Sequence, residues 1–152
     1  MKRINIYIVI LFSLLAISCA KEDSPYTVPF AKVNFEIDIN GADSDLRPFT
    51  YKVFTKPRAA HEAVGYGGLL IFMSAEGKIY AYDLSCPYED DKNILVQPQT
   101  NGKATCKKCQ SSFITMYGLG TPEIGMGPSK ESLQKYNVRP NPQRSGVFFI
   151  TN

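Results

Sequence analysis

The clearest pattern along the chain is an alternation. From Ala31 to Ile39, the residues Ala31, Val33, Phe35, Ile37 and Ile39 fall on one side and Lys32, Asn34, Glu36 and Asp38 on the other. A period of two sustained over that length predicts a half-buried strand. Phe49 to Phe54 is a second strand candidate, and Lys56 to Gly68 has no period and is expected to be irregular. Leu69 to Ser74 and Lys78 to Asp83 are apolar-rich runs joined by Ala75-Glu76-Gly77, a hairpin signature with glycine at the turn. Shorter strands are expected at Ile94 to Val96, Lys103 to Thr105 and Phe113 to Tyr117. Tyr136 to Val138 and Val147 to Thr151 flank Pro140, Pro142 and Gly146 and read as a closing hairpin. Helical spacing is hard to find beyond the N-terminus; Ser129 to Lys135 allows one turn at most. Many short strands separated by turn residues predict an all-β fold, a sandwich or barrel of antiparallel strands.

The first residues follow another rule. Met1-Lys2-Arg3 is a short positive segment, Ile4 to Ile17 is almost wholly apolar, and Leu15-Ala16-Ile17-Ser18-Cys19 brings small residues up to a cysteine. That layout is an export signal, and the apolar run is short for a membrane-spanning helix. The cysteine at its end resembles a lipobox, in which Cys19 is lipidated and becomes the new N-terminus. No small-x-small cleavage site follows to support an ordinary secretory signal. Acyl chains contribute about 0.8 kcal/mol per buried methylene, so two or three of them anchor firmly without a spanning helix. Residues 1–18 are thus expected to be a signal peptide, 19–30 a lipidated tether carrying Pro25 and Pro29, and 31–152 one β domain. Lys21-Glu22-Asp23 after the cysteine resembles a signal for display at the outer surface of the outer membrane. The expected partner is therefore a membrane, reached through the lipid.

Composition narrows the function. Removing Lys2 and Arg3 with the signal takes the formal net charge from +3 to +1. A near-neutral domain of roughly 130 residues is the size of one core and offers no electrostatic footprint for nucleic acid. No glycine-rich phosphate loop precedes a helix, since Gly65-Tyr66-Gly67-Gly68 leads into a strand. The single histidine, His61, cannot build a Ser/His/Asp set, and no pair of carboxylates suggests acid–base work. An enzyme in its own right is not expected. Of the four cysteines, Cys86, Cys106 and Cys109 remain besides Cys19, and an odd number cannot all pair.

Those three lie in an ordered series of motifs. Ala81-Tyr82-Asp83-Leu84-Ser85-Cys86-Pro87-Tyr88 is followed by Cys106-Lys107-Lys108-Cys109-Gln110-Ser111-Ser112-Phe113, then by Gly125-Met126-Gly127-Pro128 and Leu133-Gln134-Lys135-Tyr136-Asn137-Val138. The order resembles the Rieske iron–sulfur domain, over about residues 69–150. That family carries Cys-x-His on one hairpin loop and Cys-x-x-His on a second. A Ser and a Phe follow, then a Gly-Pro loop that covers the cluster and a Leu-x-x-Tyr-x-Val strand. Cys86 and Cys106 match the two cysteines, Ser111 and Phe113 the residues after the second loop, and Gly127-Pro128 the covering loop. Both histidine positions differ: Tyr88 stands at the first and Cys109 at the second. The resemblance implies a Rieske-like fold and electron transfer through a [2Fe-2S] cluster between protein partners. The two imidazoles that raise the potential of a Rieske centre are missing.

Four fates for the three cysteines stay open. A modified [2Fe-2S] cluster would use Cys86, Cys106 and Cys109 with the Tyr88 phenolate or a nearby acid, Glu89 or Asp90. Zinc would take the three thiolates and an oxygen ligand. By the resemblance, Cys86 and Cys106 converge, so a clusterless domain would close them in a disulfide across about 20 residues, worth near 3 kcal/mol in the chain-entropy model. Lastly, Cys106-Lys107-Lys108-Cys109 would be a thiol–disulfide pair, its pKa lowered by the lysines, although no helix follows it. Tyr80, Tyr82, Phe113, Tyr117 and Tyr136 are expected to be core and cross-strand partners.

Overall fold

The computed structural model describes residues 27–152. The expected signal peptide, Cys19 and the expected tether up to residue 26 lie outside them. All regular structure among the described residues is β, as the alternation predicts. In chain order the strands are β1 (Val33–Asp38), β2 (Tyr51–Phe54), β3 (Ala63–Val64), β4 (Leu69–Met73), β5 (Ile79–Asp83) and β6 (Ser85–Cys86), followed by β7 (Asp91–Pro98), β8 (Lys103–Cys106), β9 (Ser112–Ile114), β10 (Thr121–Pro122), β11 (Lys135–Pro140) and β12 (Val147–Thr151). Every pairing between them is antiparallel.

A seven-stranded sheet has the order β2-β4-β5-β11-β12-β1-β3. It curls until β2 at one end meets β1, the strand next to the other end: Phe54 of β2 and Phe35 of β1 pack with ring centroids 4.6 Å apart, and the Arg58 guanidinium caps both rings at 5.0 and 4.5 Å. Inside the curl, Val33, Phe35 and Ile37 from the alternating strand meet Leu69, Ile71, Ile79, Ala81 and Ile150. Burying each large aliphatic or aromatic side chain contributes about 1.5–3 kcal/mol. At the rim, Asp43 is fully buried; its carboxylate accepts from Arg58 at 3.0 Å and lies 2.9 Å from Lys52.

A five-stranded sheet, β10-β9-β8-β7-β6, carries the second half. Strands β4 and β5 serve both halves, which is why they are apolar without alternation. Leu69 and Ile71 face the first core, whereas Leu70, Tyr82 and Leu84 face a second one with Val96, Ala104, Phe113 and Leu133. Cys86 and Cys106 belong to this second core.

Some local expectations are corrected. The irregular stretch 56–68 contains the two-residue β3, which adds the outer edge of the larger sheet at Asn34↔Ala63. Ser129 to Lys135 makes no helical turn, because its amides are used elsewhere: Ser129 N donates to Ser111 Oγ at 3.0 Å and Leu133 N to Gly120 O at 2.9 Å. The strand at Phe113 stops at Ile114, where Thr115 and Met116 both donate to Gly102 O at 2.9 and 3.1 Å. Tyr117 beyond it is 71% exposed rather than part of the core.

Candidate metal centre

The site begins in the core between the sheets. Asp83 closes β5 and is fully buried, yet no lysine or arginine among the described residues forms an ion pair with it. Its Oδ1 accepts from Ser85 Oγ at 2.6 Å, Ser85 N at 2.8 Å and Gly67 N at 3.0 Å. Its Oδ2 accepts from Tyr136 Oη at 2.7 Å and Tyr66 N at 2.8 Å. A buried carboxylate is tolerable only when neutral donors replace its hydration in this way. Burial first, then the adjacent Asp83 charge, push the Tyr136 phenol far above its ordinary value, so it remains a donor. A side chain at Gly67 would collide with Ser85 N, which is why glycine stands there. The carboxylate therefore ties Ser85, the residue before Cys86, to two other parts of the chain, Tyr66-Gly67 and Tyr136 of β11. The sequence signal was an aspartate closing an otherwise apolar strand; it was not read as a hub.

From Ser85 the chain enters the first loop. Cys86 is fully buried, and its carbonyl accepts from Glu89 N at 3.2 Å and Asp90 N at 3.0 Å. Asp90 takes a left-handed conformation at φ 46°. The second loop leaves β8 at the fully buried Cys106, whose carbonyl accepts from Gln110 N at 2.9 Å, and Gln110 is left-handed at φ 63°. Cys109, half-buried, hangs between the loops. Its thiol donates to Ser111 Oγ at 3.2 Å, and that oxygen also accepts from Ser129 N.

The three sulfurs lie within 4.8 Å of one another, with Cys86 and Cys109 at 3.6 Å. All three are free thiols. The structure thus brings together every cysteine singled out in the sequence apart from Cys19. Tyr88 is on the first loop but 55% exposed. His61 is elsewhere, on the exposed loop before β3, where its carbonyl accepts from Asn34 Nδ2 at 2.9 Å. Glu89 reaches over to the second loop and pairs with Lys108 at 2.6 Å.

A third loop closes the site. Glu123 N donates to Ser112 O at 2.7 Å, and Ser112 N returns a bond to Met126 O at 3.2 Å. Gly127, at φ 82°, lies so close on Ser111 that a Cβ there would overlap its backbone. From the other side Thr27 Oγ1 donates to Pro87 O at 2.6 Å, so the end of the expected tether is fastened to the first loop.

The electrostatics of the sulfurs differ. Burial pushes the Cys86 thiol up to about 12, against amides of Glu89 and Tyr88 that pull it down and the neighbouring thiols that raise it. At Cys109 burial also raises the pKa, but the Ser111 hydroxyl and amide and the two other thiols outweigh it and hold the thiol below its ordinary value. Amide and hydroxyl donors aimed at sulfur are what a thiolate ligand needs, and thiolates suit zinc and iron–sulfur centres. Three converging sulfurs with such donors fit a thiolate-bound metal.

Comparison with known proteins adds similarity in shape alone. No protein-family model and no curated protein matches this chain. Among the solved structures that match it, two cover about four fifths of the chain. One is assigned as the small subunit of an NADH-dependent nitrite reductase from Mycobacterium tuberculosis, at 13% identity over 80% of this chain and 96% of that one, TM-score 0.47. The other is assigned as the small subunit of an NADPH nitrite reductase, at 13% identity over 79% and 97%, TM-score 0.45.

Proposed function

We propose that this protein is an envelope lipoprotein whose Rieske-like domain carries a [2Fe-2S] cluster with an altered ligand set and passes single electrons between protein partners. The observation that carries the proposal is the meeting of Cys86, Cys106 and Cys109 within 4.8 Å on two loops, under a third. In this reading Cys86, Cys106 and Cys109 hold the metal, the Glu89, Tyr88 and Ser111 donors stabilise thiolate charge, and the loop at Gly127 limits water. The cluster, when bound, supplies the one-electron couple. Without two imidazoles its potential is expected below the range of Rieske centres, about −150 to +300 mV.

A specific distance favours a second reading. All three sulfurs lie within 4.8 Å of one another, close to the edges of a single tetrahedral zinc–sulfur site, about 3.8 Å for a Zn–S bond of about 2.3 Å, whereas two irons would spread them. One experiment separates these readings. The full chain is purified anaerobically in detergent, its visible spectrum recorded, and its iron, sulfide and zinc assayed. A brown protein with matched iron and sulfide, colourless after Cys86→Ser, supports electron transfer. Zinc with no visible band supports the second reading. A colourless, metal-free protein that loses two thiols on oxidation overturns both and leaves a clusterless binding module closed by a disulfide.

The anchor is read from the sequence. Cys19 would carry the lipid, and the tether would lead to Thr27 beside the first loop. Labelling of the wild type with radioactive palmitate, lost in Cys19→Ala, is the expected result. Protease accessibility in intact cells then reports whether the domain faces outward from the outer membrane.

A further inference from the structure

The two loops at the thiolate site are copies of one another. Each starts at a buried cysteine that ends a short strand. In each, the fourth residue after the cysteine is left-handed without being glycine, and its amide donates to the cysteine carbonyl: Asp90 to Cys86 at 3.0 Å, Gln110 to Cys106 at 2.9 Å. In each, the fifth residue pairs back with the cysteine, Asp91 opposite Cys86 and Ser111 O accepting from Cys106 N at 2.9 Å.

Equivalent backbones give equivalent positions. The second residue after the cysteine is Tyr88 in one loop and Lys108 in the other, and both point outward, with Tyr88 55% exposed and the Lys108 side chain 61% exposed. The third residue is Glu89 in one loop and Cys109 in the other. Cys109 directs its sulfur toward the first loop, 3.6 Å from Cys86. Glu89 does the reverse: its side chain is 11% exposed and crosses to the second loop, where Lys108 Nζ holds Oε2 at 2.6 Å. The carboxylate lies outside the set of donors that are mutually within 4.8 Å. Its one cross-loop ion pair is with Lys108, a lysine from the second loop's outward position.

We propose that Glu89, not Tyr88, is the fourth ligand of the thiolate site, and that Lys108 competes with the metal for its carboxylate. The proposal rests on the thiolate-metal reading above. It assigns a Cys3Glu donor set in which each loop contributes its opening cysteine and the third residue after it. A carboxylate is an ordinary oxygen ligand for zinc and similar divalent ions. On metal binding the three thiols would release their protons to solvent, the Lys108–Glu89 pair would open and the carboxylate would turn to the ion.

Cobalt(II), added to the reduced, metal-free full chain in detergent, is the probe. In the wild type, a thiolate-to-cobalt absorption and the ligand-field bands of a tetrahedral ion are expected at one equivalent. Glu89→Gln is expected to keep the thiolate band, change the ligand-field bands and weaken binding at least tenfold; Glu89→Asp is expected to restore part of both. Tyr88→Phe is expected to leave spectrum and affinity unchanged. Lys108→Met is expected to tighten binding roughly two- to fivefold, the worth of an exposed ion pair. If Glu89→Gln matches the wild type, or if Tyr88→Phe alone alters the ligand-field bands, the assignment of Glu89 is overturned while the thiolate site stands. If the wild type binds no cobalt, the single-ion thiolate reading falls and this one with it, while the [2Fe-2S] reading is decided by its own iron and sulfide assay.

Discussion

The two halves of the molecule are stabilised by different physics. The seven-stranded sheet closes on itself around aliphatic and aromatic side chains, and its charged groups stay at the rim, where Asp43 meets Lys52 and Arg58. The five-stranded sheet also has an apolar core, but that core ends in sulfur, and its loops hold a left-handed aspartate and a left-handed glutamine. Non-glycine residues there each cost on the order of 1 kcal/mol. In the first half, the alternation of β1 and its burial agree residue by residue. Among the described residues, the first half holds one left-handed non-glycine residue, Phe49, and one buried carboxylate, Asp43, paired with Lys52 and Arg58; the second gathers two left-handed loop residues and three thiols beside Asp83, which is held by neutral donors. A region that departs from the cheapest folding solution in this way is where a functional site is expected.

Asp83 joins the halves, so its removal is the most severe test of the comparison. Asp83→Ala orphans donors from Tyr66, Gly67, Ser85 and Tyr136 and is expected to cost about 3–5 kcal/mol in urea unfolding. A loss under about 1 kcal/mol would mean that the halves are independently stable. Should the variant not fold, Tyr136→Phe removes a single donor, with an expected cost of about 1.5–3 kcal/mol.

Next in size is a paired experiment. Ile37→Ala empties space in the fully buried first core and is expected to cost about 2–5 kcal/mol while leaving bound metal per folded protein unchanged. Cys86→Ser is expected to abolish metal retention, yet to cost the metal-free protein only about 1 kcal/mol. Equal loss of metal in both variants would show that the site is not separable from the barrel.

Gly127→Ala tests the covering loop alone. The residue's left-handed backbone and its closeness to Ser111 predict a loss of about 1–3 kcal/mol, together with faster loss of metal to a chelator. Unchanged chelator kinetics would remove the loop from the site.

The smallest effect is in acid. Burial raises the Asp43 pKa, but the Lys52 hydrogen bond, the Asp38 amide and Arg58 outweigh it, so the folded value is below the ordinary 3.8. A depressed carboxyl contributes stability that is present above the unfolded value and lost as pH falls through the folded one. Stability is therefore expected to decline as pH falls below 3.8, and the decline to be shallower in Asp43→Asn. An identical slope would place the acid sensitivity in the other half.

Much of the first half could be read in advance. The alternation at Ala31 to Ile39 and the hairpin at Ala75-Glu76-Gly77 returned as β1 and as the β4–β5 pair. Short elements were missed for a physical reason: β3, β6 and β10 have two residues each and show no period. At the site, the sequence supplied the cysteines and the glycine-proline loop, because their residue types are rare and their order is distinctive. It did not supply Asp83 as a hub or the Glu89–Lys108 pair, since both depend on partners from other strands or loops.

Residue type and local period by themselves determined that this chain makes strands, that its N-terminus has the form of an export signal, and that three thiols stand beside predicted loops. Only the tertiary structure decided which sulfurs meet, which residue of each loop points inward, and which donors surround a buried carboxylate. Alternation is a property of neighbouring residues, whereas convergence is set by the twist and closure of sheets whose contacts join distant parts of the chain.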